Sequence, residues 1–574
     1  MSLSSILGAA GSALTASQVR IAVANTNVAN ADDLTYTRKT VTAAPTTATV
    51  AVSDTVVQRA ADAFLSKTVL KTAAAAGHDA VIDGYLQSYD AALGSTDGGD
   101  DISSLMSAFA TALSALASSA DDTSKAQLVS DASALAQGIK GLSDEVQALR
   151  TQASSQIETT VGGVNQSLKA LASLNDQIAT VTAQGGDVTT LEDQRDAQLA
   201  TLSGLIGVSS YVTSDNQLRV YATGGDPLLG TTAATLSYAA SSQLGAGATY
   251  PGGIAGITLN GKDVTASLGD GELGALVTLR DTTLPGEQDK LDALAATLIT
   301  QVNAVTNAGS AVPAPTTLTS AGAVSATDAF AATGSLRVAV VDSGGTVVGA
   351  QDLDLSTLST VGDLVTALNG VGGLSASIGA DGKLSVTATN GANGVALADL
   401  GAGVGSTGAG VSAYFGFNDL FSGSSAADIG VASGLAGDPG GLVTAALPAT
   451  GTLAAGDRAL STGDSTVAGA LSSLLTARVG FAATGGQGAR TTSLSSYASS
   501  FVAGAATMIA DAAGQSATST AASDAATSRL QNLTAVNIDE ELALLTQYQS
   551  QYTANAQLIS MVRDLFDALV SMVN

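Results

Sequence analysis

Apolar or small residues at Leu3, Leu7, Ala10, Leu14, Ser17, Ile21, Ala24 and Val28 step alternately by four and three, the spacing of a helix that pairs along a coiled-coil seam. One row is small (Ala10, Ser17, Ala24) and the other large (Leu7, Leu14, Ile21, Val28), a division that suits close approach of a second helix. The far end of the chain repeats the pattern: Ile538, Leu545, Tyr552, Ile559, Phe566 and Val573 recur every seven residues, with Tyr548, Asn555, Val562 and Leu569 in the intervening places. A helix from Ile538 to Val573 would run about 54 Å at ~1.5 Å per residue. Asn537 or Asp539 can cap its start, and Glu540 and Glu541 suit the positive end of its dipole. Asn555 either fixes the register of the seam or turns to solvent at a loosely packed layer, and the spacing leaves both readings open. A two-helix seam buries one stripe of each partner, so Leu544, Leu558, Leu565 and Met572 form a second apolar row that expects cover from neighbouring molecules. Both ends should then be largely disordered in a free monomer and order on assembly.

Between the ends, Asp101 to Leu205 is rich in Ala, Ser and Leu at helical spacing, with Gly185-Gly186 as a turn between two long helices. From Ile206 to about residue 450 the composition shifts to Gly, Thr and Val, and runs such as Leu218-Arg219-Val220-Tyr221 and Leu336-Arg337-Val338-Ala339-Val340 alternate as strands do. Within it Thr360 to Asn369 reads as a short helix, and Ile378 to Ala388 as a hairpin turning at Asp381-Gly382. The expected unit is a hairpin, a helix and a second hairpin. Helical composition returns from about Leu453 to Leu533. The expected fold class is α+β multidomain, with paired N- and C-terminal coiled-coil helices, a long-helix domain and a mostly β outer region inserted in the middle. The corresponding division is 1–60 with 533–574 (terminal assembly domain), 61–205 with 449–532 (helical domain), 206–320 (mixed β-rich segment and return helix) and 321–448 (β-rich outer domain with one short helix).

Composition narrows the function. The chain has 574 residues and a formal charge of −27, which repels phosphate backbones and anionic lipid, so neither nucleic acid nor membrane insertion is expected. No uninterrupted run of about 18 apolar residues points to a membrane span. Cysteine and tryptophan are absent and aromatics make up 3%, so cores must be built from Ala, Val, Leu and Ile. The start, MSLSSILGAAGSALTASQVR, lacks the basic leader and cleavage site of a secretory signal, so the protein is expected to stay inside or to leave by another route. Chemistry is sparse. The single histidine, His78, has no nucleophile motif beside it. Asp97-Gly98-Gly99-Asp100-Asp101 lacks the twelve-residue calcium loop, and the glycine-rich pieces lack the lysine of a phosphate cradle. No catalytic residue, metal or cofactor is expected, and the chain does not read as an enzyme.

Several motifs carry a resemblance. Asn25-Thr26-Asn27-Val28-Ala29-Asn30 followed by Tyr36-Thr37-Arg38, and Asn537-Ile538-Asp539-Glu540-Glu541 followed by Tyr552-Thr553-Ala554-Asn555-Ala556-Gln557, resemble the terminal signatures of the flagellar axial proteins. Thr35 and Leu34 stand where that family usually has Gly and often has Pro. Leu174-Asn175-Asp176-Gln177-Ile178 with Leu191-Glu192-Asp193-Gln194-Arg195-Asp196, the ending Leu565-Phe566-Asp567-Ala568-Leu569, and Val52-Ser53-Asp54 to Arg59, Asp62, Phe64 and Leu65 are similar to the hook-associated group at the hook-filament junction.

The resemblance implies a structural adaptor joining hook to filament. It would be exported unfolded through the flagellar type III apparatus without signal cleavage, escorted by a dedicated export chaperone, and polymerised at the distal end of the hook. Its partners would be copies of itself in an axial homo-oligomer, the hook protein, and the adjoining hook-associated protein on the filament side; its location would be the extracellular flagellum. The implied assembly interface is Leu3, Leu7, Leu14, Ile21, Val28, Asn30, Tyr36, Arg38, Ile538, Leu545, Tyr548, Tyr552, Asn555, Ile559, Val562, Phe566, Leu569 and Val573. A hook or rod protein is the near alternative, a secreted acidic adhesin or a wall-cleaving enzyme the distant ones.

Overall fold

The computed structural model describes residues 3–43, 55–95 and 97–573, without the side chains of residues 3, 4, 43 and 573. Val52-Ser53-Asp54, part of the resemblance above, lies outside the described residues. The architecture is the expected one: paired terminal helices, a bundle of long helices, and a β-rich outer region in the middle of the chain.

Helix α1 (Leu3–Ala29) leads into the antiparallel pair β1 (Lys39–Ala43) and β2 (Thr55–Arg59). Four bundle helices follow: α2 (Ala63–Leu93), α3 (Ile102–Ser118), α4 (Asp122–Ala183) and α5 (Thr189–Leu205). An aspartate caps each of the first three, Asp62, Asp101 and Asp121 accepting backbone N–H groups of the first turn. The 62 residues of α4 span about 93 Å at ~1.5 Å each. Its buried face is a heptad seam, Leu128, Leu135, Leu142 and Leu149 on one row and Ala132, Ile139, Val146 and Ala153 on the other. The turn at Gly185 has φ +69°, where the absence of a side chain removes the usual penalty.

The first β-rich segment has no core of its own but lies on α4. It comprises β3 (Val208–Val212), β4 (Leu218–Ala222) and β5 (Pro227–Leu229), then β6 (Leu236–Ser237), β7 (Thr258–Leu259) and β8 (Lys262–Asp263). Two asparagines of α4 seat it by imitating a neighbouring strand. Asn175 donates to Leu218 O at 3.0 Å and accepts from Leu218 N at 3.0 Å, and Asn165 does the same with Leu236 at 2.8 and 2.8 Å. The chain returns through α6 (Glu272–Thr278), a π-helical segment Leu279–Thr283, and α7 (Leu284–Thr306).

The outer region has two three-stranded antiparallel sheets. One orders β11 (Val347–Asp354), β10 (Ala332–Asp342) and β14 (Asn393–Val404); the other orders β12 (Leu374–Ile378), β13 (Lys383–Ala388) and β9 (Thr317–Ala323). Between the hairpins α8 (Val361–Asn369) starts in a capping box of Thr360 and Asp363, as the hairpin, helix, hairpin reading expects. Gly382 turns the second hairpin at φ +79°. These elements enclose a separate apolar core from Leu318 to Phe415.

The stretch 453–493 departs from its helical expectation. After the short α9 (Val411–Phe415) and α10 (Ser433–Gly437), only α11 (Thr466–Leu474) is helical there, followed by the hairpin Val479–Phe481 with Arg490–Thr492. Glycines at positive φ, Gly451, Gly456, Gly485 and Gly486, break the run, and an Ala/Ser/Thr-rich average hides such breaks. Helix α12 (Leu494–Thr534) then runs back antiparallel along α2, and α13 (Ile538–Val573) closes the chain against α1.

Candidate functional site

The two terminal helices form an antiparallel pair. Asn27 meets Glu541 at 3.0 Å, and the Arg20 guanidinium lies 5.8 Å from the centre of the Tyr548 ring. Continued at this register, Leu3 falls opposite Leu565, so the last two turns of α13 project past the described start of α1. The contact is made by the small row: Ala10, Ser17 and Ala24 are buried, whereas Leu14, Ile21 and Val28 are half-buried and Leu7 is exposed. The reason is steric, since small side chains permit the close approach that large ones would prevent. On α13, Val562 is buried, Leu545, Tyr548, Tyr552, Asn555 and Ile559 are half-buried, and Ile538, Phe566 and Leu569 are exposed. Asn555 lines an open groove with Ser17 and Ala13 of α1. The side chains of Leu3 and Val573 lie outside the described residues.

By length and apolar composition alone α1 is long enough over Ser5–Ala29 to cross a membrane, although it has no uninterrupted apolar run, and here it pairs with α13. Short Gly, Ser and Thr residues break the run while Arg20 is the helix's lone charge.

At the root of the pair, residues 27–39 build a clasp. Asn27 has no exposed surface and makes four hydrogen bonds. Its Nδ2 donates to Lys39 O (2.8 Å) and Glu541 Oε2 (3.0 Å), and its Oδ1 accepts from the Tyr36 hydroxyl (2.8 Å) and Lys39 N (3.0 Å). Burial, with the Asp193 and Glu541 carboxylates nearby, pushes the Tyr36 hydroxyl far above its ordinary value, so it stays a donor. Arg38 Nε holds Glu541 Oε1 at 2.7 Å, Nη2 reaches Glu540 at 3.2 Å, and its backbone N–H donates to Thr534 O at 2.7 Å. Asn30 closes the end of α1 by donating to Thr26 O at 2.8 Å. Thr35, where the resembling family has Gly, is not among the positive-φ residues, so no glycine is required. Asp33 instead takes the Thr35 N–H at 2.9 Å and hydroxyl at 2.8 Å, an Asx turn that shapes the bend.

The clasp's other side grips α5. Asp193, 6% exposed, accepts from the Thr37 hydroxyl at 2.5 Å and faces Lys39 Nζ at 3.6 Å and Arg59 Nη1 at 3.2 Å. Arg59 also holds Glu192 at 3.0 Å and Asp196 at 2.6 Å. Arg195 turns the opposite way, donating to Asn216 O at 2.8 Å and reaching Asn175 Oδ1 at 3.4 Å. The two segments of the resemblance, 174–178 and 191–196, thus meet on one side of α5 while Asp193 binds the terminal domain on the other. Asn27, Lys39, Asp193 and Glu541 were not among the candidate residues; Asn27 stood in the quoted asparagine cluster, three residues beyond Ala24 of the small row.

Away from the clasp, His78 Nδ1 lies 2.9 Å from Asp79, whose other oxygen accepts from Gln515 (3.2 Å) and Ser519 of α12. This histidine serves a helix contact. Burial raises the Asp79 carboxyl, but bonds from Ser519, His78 and Gln515 outweigh it and hold it below the ordinary range. The resulting stabilisation is full above the unfolded-state value and is lost as pH falls through the folded one. Asp79→Asn should therefore lower the melting temperature at pH 7, and the gap to wild type should narrow as pH falls below the ordinary carboxylate range, as measured by calorimetry over a pH series. Among the described residues no group of three or more His, Cys, Asp or Glu is arranged to hold a metal ion.

Comparison with known proteins agrees with this geometry. Residues 86–315 match the model of the flagellar hook-associated protein FlgK helical domain, and residues 532–572 that of the flagellar basal body rod FlgEFG protein C-terminal domain. Both matched segments are therefore similar to flagellar axial proteins. Within that class, the helical segment and the curated relatives are similar to hook-associated proteins of the FlgK type. Flagellar hook-associated protein 1 of Escherichia coli (strain K12) is 27% identical over 54% of this chain and 58% of its own length. Its Salmonella typhimurium counterpart is 27% identical over 53% and 56%. The match thus spans little more than half the length of these relatives. The solved flagellar hook junction protein FlgK from Burkholderia pseudomallei aligns over 82% of this chain and 99% of its own at 20% identity, with a TM-score of 0.47.

Proposed function

We propose that this chain is a structural adaptor subunit joining the flagellar hook to the filament, exported unfolded through the type III apparatus and polymerised at the distal hook end through its terminal helices. The observation that carries the reading is the uncovered apolar surface of α13, where Leu558, Leu565, Phe566, Leu569 and Met572 are all exposed. Exposed apolar rows on a helix that already has one partner mark an association surface. Copies of the chain, the hook protein and the adjoining hook-associated protein are the partners that would cover it. An export chaperone would shield the same rows before assembly. The domain at the root, residues 1–60 with 533–574, is the assembly domain; 61–205 with 449–532 and 206–320 form the shaft, and 321–448 the outward face. The chain catalyses nothing in this reading, and a wall-hydrolysis assay should find no activity. The match of residues 86–315 to the FlgK helical domain favours this reading over a hook or rod protein.

A deletion strain should carry hooks without filaments; normal filaments would overturn the reading. Leu569→Asp should sharpen the test. With the side chain 57% exposed, the charge costs the free chain little, whereas burying it between subunits costs several kcal/mol, roughly 3–5 if unpaired. The melting curve of the purified variant should match wild type while swimming in the complemented deletion strain is lost.

A further inference from the structure

Near the clasp, helices α2 and α12 present two unlike flanks. On one of them Ser66, Val69 and Leu70 of α2 join Thr527, Leu530 and Gln531 of α12 in lining a cavity. At about 100° per residue, Phe64, Lys67 and Lys71 turn away from that cavity, and so do Arg529 and Leu533. The two helices run antiparallel with Asp79 held between Gln515 and Ser519, a register that sets Lys67 level with Arg529 and Phe64 level with Leu533. All five side chains are exposed, Phe64 by 78% and Leu533 by 50%. The patch is thus two apolar side chains among three cations, in a chain of formal charge −27. No acid among the described residues pairs with these cations, whereas Arg38, Lys39 and Arg59 of the clasp each hold one. Asp62 is engaged in capping α2, and Asp524 lies about 140° round α12 from Arg529. Like charges gathered around apolar surface call for a cover that is acidic and partly apolar.

The opposite flank of the same chain has that chemistry. The bend after α1 exposes Asp32, Asp33 and Leu34, the last by 80% at the mouth of the cavity. The cavity lining adds Asp193 and Asp196 against the single Arg59, so this flank is acidic where the other is basic. Leu34, standing where the resembling family often has Pro, is the apolar point of the acidic bend. Height matches as well as charge. Arg38 donates to Thr534 O and Ala60 donates to Arg38 O, which places the bend level with the patch, whereas Leu569 of α13 is about 42 Å from the clasp residue Glu541 at ~1.5 Å per residue. Copies standing side by side about a common axis bring equal heights together. We propose that the Asp32-Asp33-Leu34 bend of one copy docks on the Phe64, Lys67, Lys71, Arg529 and Leu533 patch of the next. The inference rests on the adaptor reading and names a lateral subunit contact within it. Two different patches that meet in this way do not close after one pair, so the contact propagates as a ring or helix.

The chain has no cysteine, so introduced thiols report contacts without background. Ala31→Cys, beside Asp32, and Ala525→Cys, on the exposed face of α12 one turn from Arg529, leave every residue of the contact in place. They are combined in one chain expressed in the deletion strain, and isolated flagella are treated with a short bismaleimide and run on a denaturing gel. The expected result is linked species of two, three and more chains in the paired variant, and no such series in either single variant. Lys67→Glu in the paired background should remove the series and slow swimming, and Asp32→Lys added to it should restore both. Filaments that grow normally but yield only monomer, a series from one thiol alone, or a series indifferent to Lys67→Glu would overturn the contact and leave the adaptor reading standing. Should the thiols stop filament growth, the charge reversals are read by swimming in the cysteine-free chain, and failure of Asp32→Lys to restore what Lys67→Glu removes counts against the proposal. Normal filaments in the deletion strain would instead remove the adaptor reading itself.

Discussion

Asn27→Ala is expected to free the terminal helix pair from the rest of the molecule. The substitution leaves the Tyr36 hydroxyl, the Lys39 N–H and carbonyl, and one Glu541 oxygen without their partner in a buried site. Each such orphan costs about 1–3 kcal/mol, and water entering the loosened site recovers part of it, so a total near 3–5 kcal/mol is expected. One unfolding free energy is not well defined for a chain with several cores, so the readout is local. The clasp should keep residues 10–43 and 538–562 protected in the isolated chain, where the seam alone would leave both ends disordered; in the variant their amide exchange should accelerate by the corresponding factor of roughly 10² to 4 × 10³, while the first half of α4 exchanges as in wild type. Unchanged exchange in the terminal helices would show that the pair is held by its seam alone. Tyr36→Phe, which removes a single hydroxyl, should have about a third of the effect.

Asp193→Ala is expected to have an effect of similar size from the other side. The carboxylate is buried among Thr37, Lys39 and Arg59, and breaking a buried ion pair by removing one partner costs about 3–5 kcal/mol because the remaining charge stays buried. Arg59 keeps Glu192 and Asp196; Lys39, 4% exposed, keeps only the Thr190 hydroxyl at 2.7 Å and the face of Tyr36. Lys39 is therefore the group left uncompensated, and Lys39→Met should rescue much of the loss. Absence of rescue would mean that the Thr37 bond, not the charge, holds the joint. Both variants act on residues 36–39, so Asn27→Ala and Asp193→Ala should combine by less than the sum of their separate effects. The difference from Leu569→Asp is diagnostic: clasp variants alter the isolated chain, whereas the tip variant alters only what the chain builds.

Much of the scaffold was legible because it rests on local periodicity. The heptads at both ends, the Thr360 cap of α8 and the Asp381-Gly382 turn each depend on residues within a few positions of one another, and local steric rules act at that range. The failure at 453–493 has the same root, since a composition average is blind to where its glycines fall. Small residues in alternate seam places also announced a close contact, but not that the large row would be left half-open beside it.

By itself the sequence determined most of the helices and strands outside 453–493 and that the two extremities share one heptad geometry. Tertiary structure alone decided the joint. Asp193 lies 156 residues from Thr37, and Glu541 lies 514 from Asn27, and no spacing rule spans such separations. Which acid a buried Lys39 faces, and which apolar row of α13 is left bare, depend on how helices brought together from distant parts of the chain fill one another's surfaces, a property of packing in three dimensions and not of any stretch of residues.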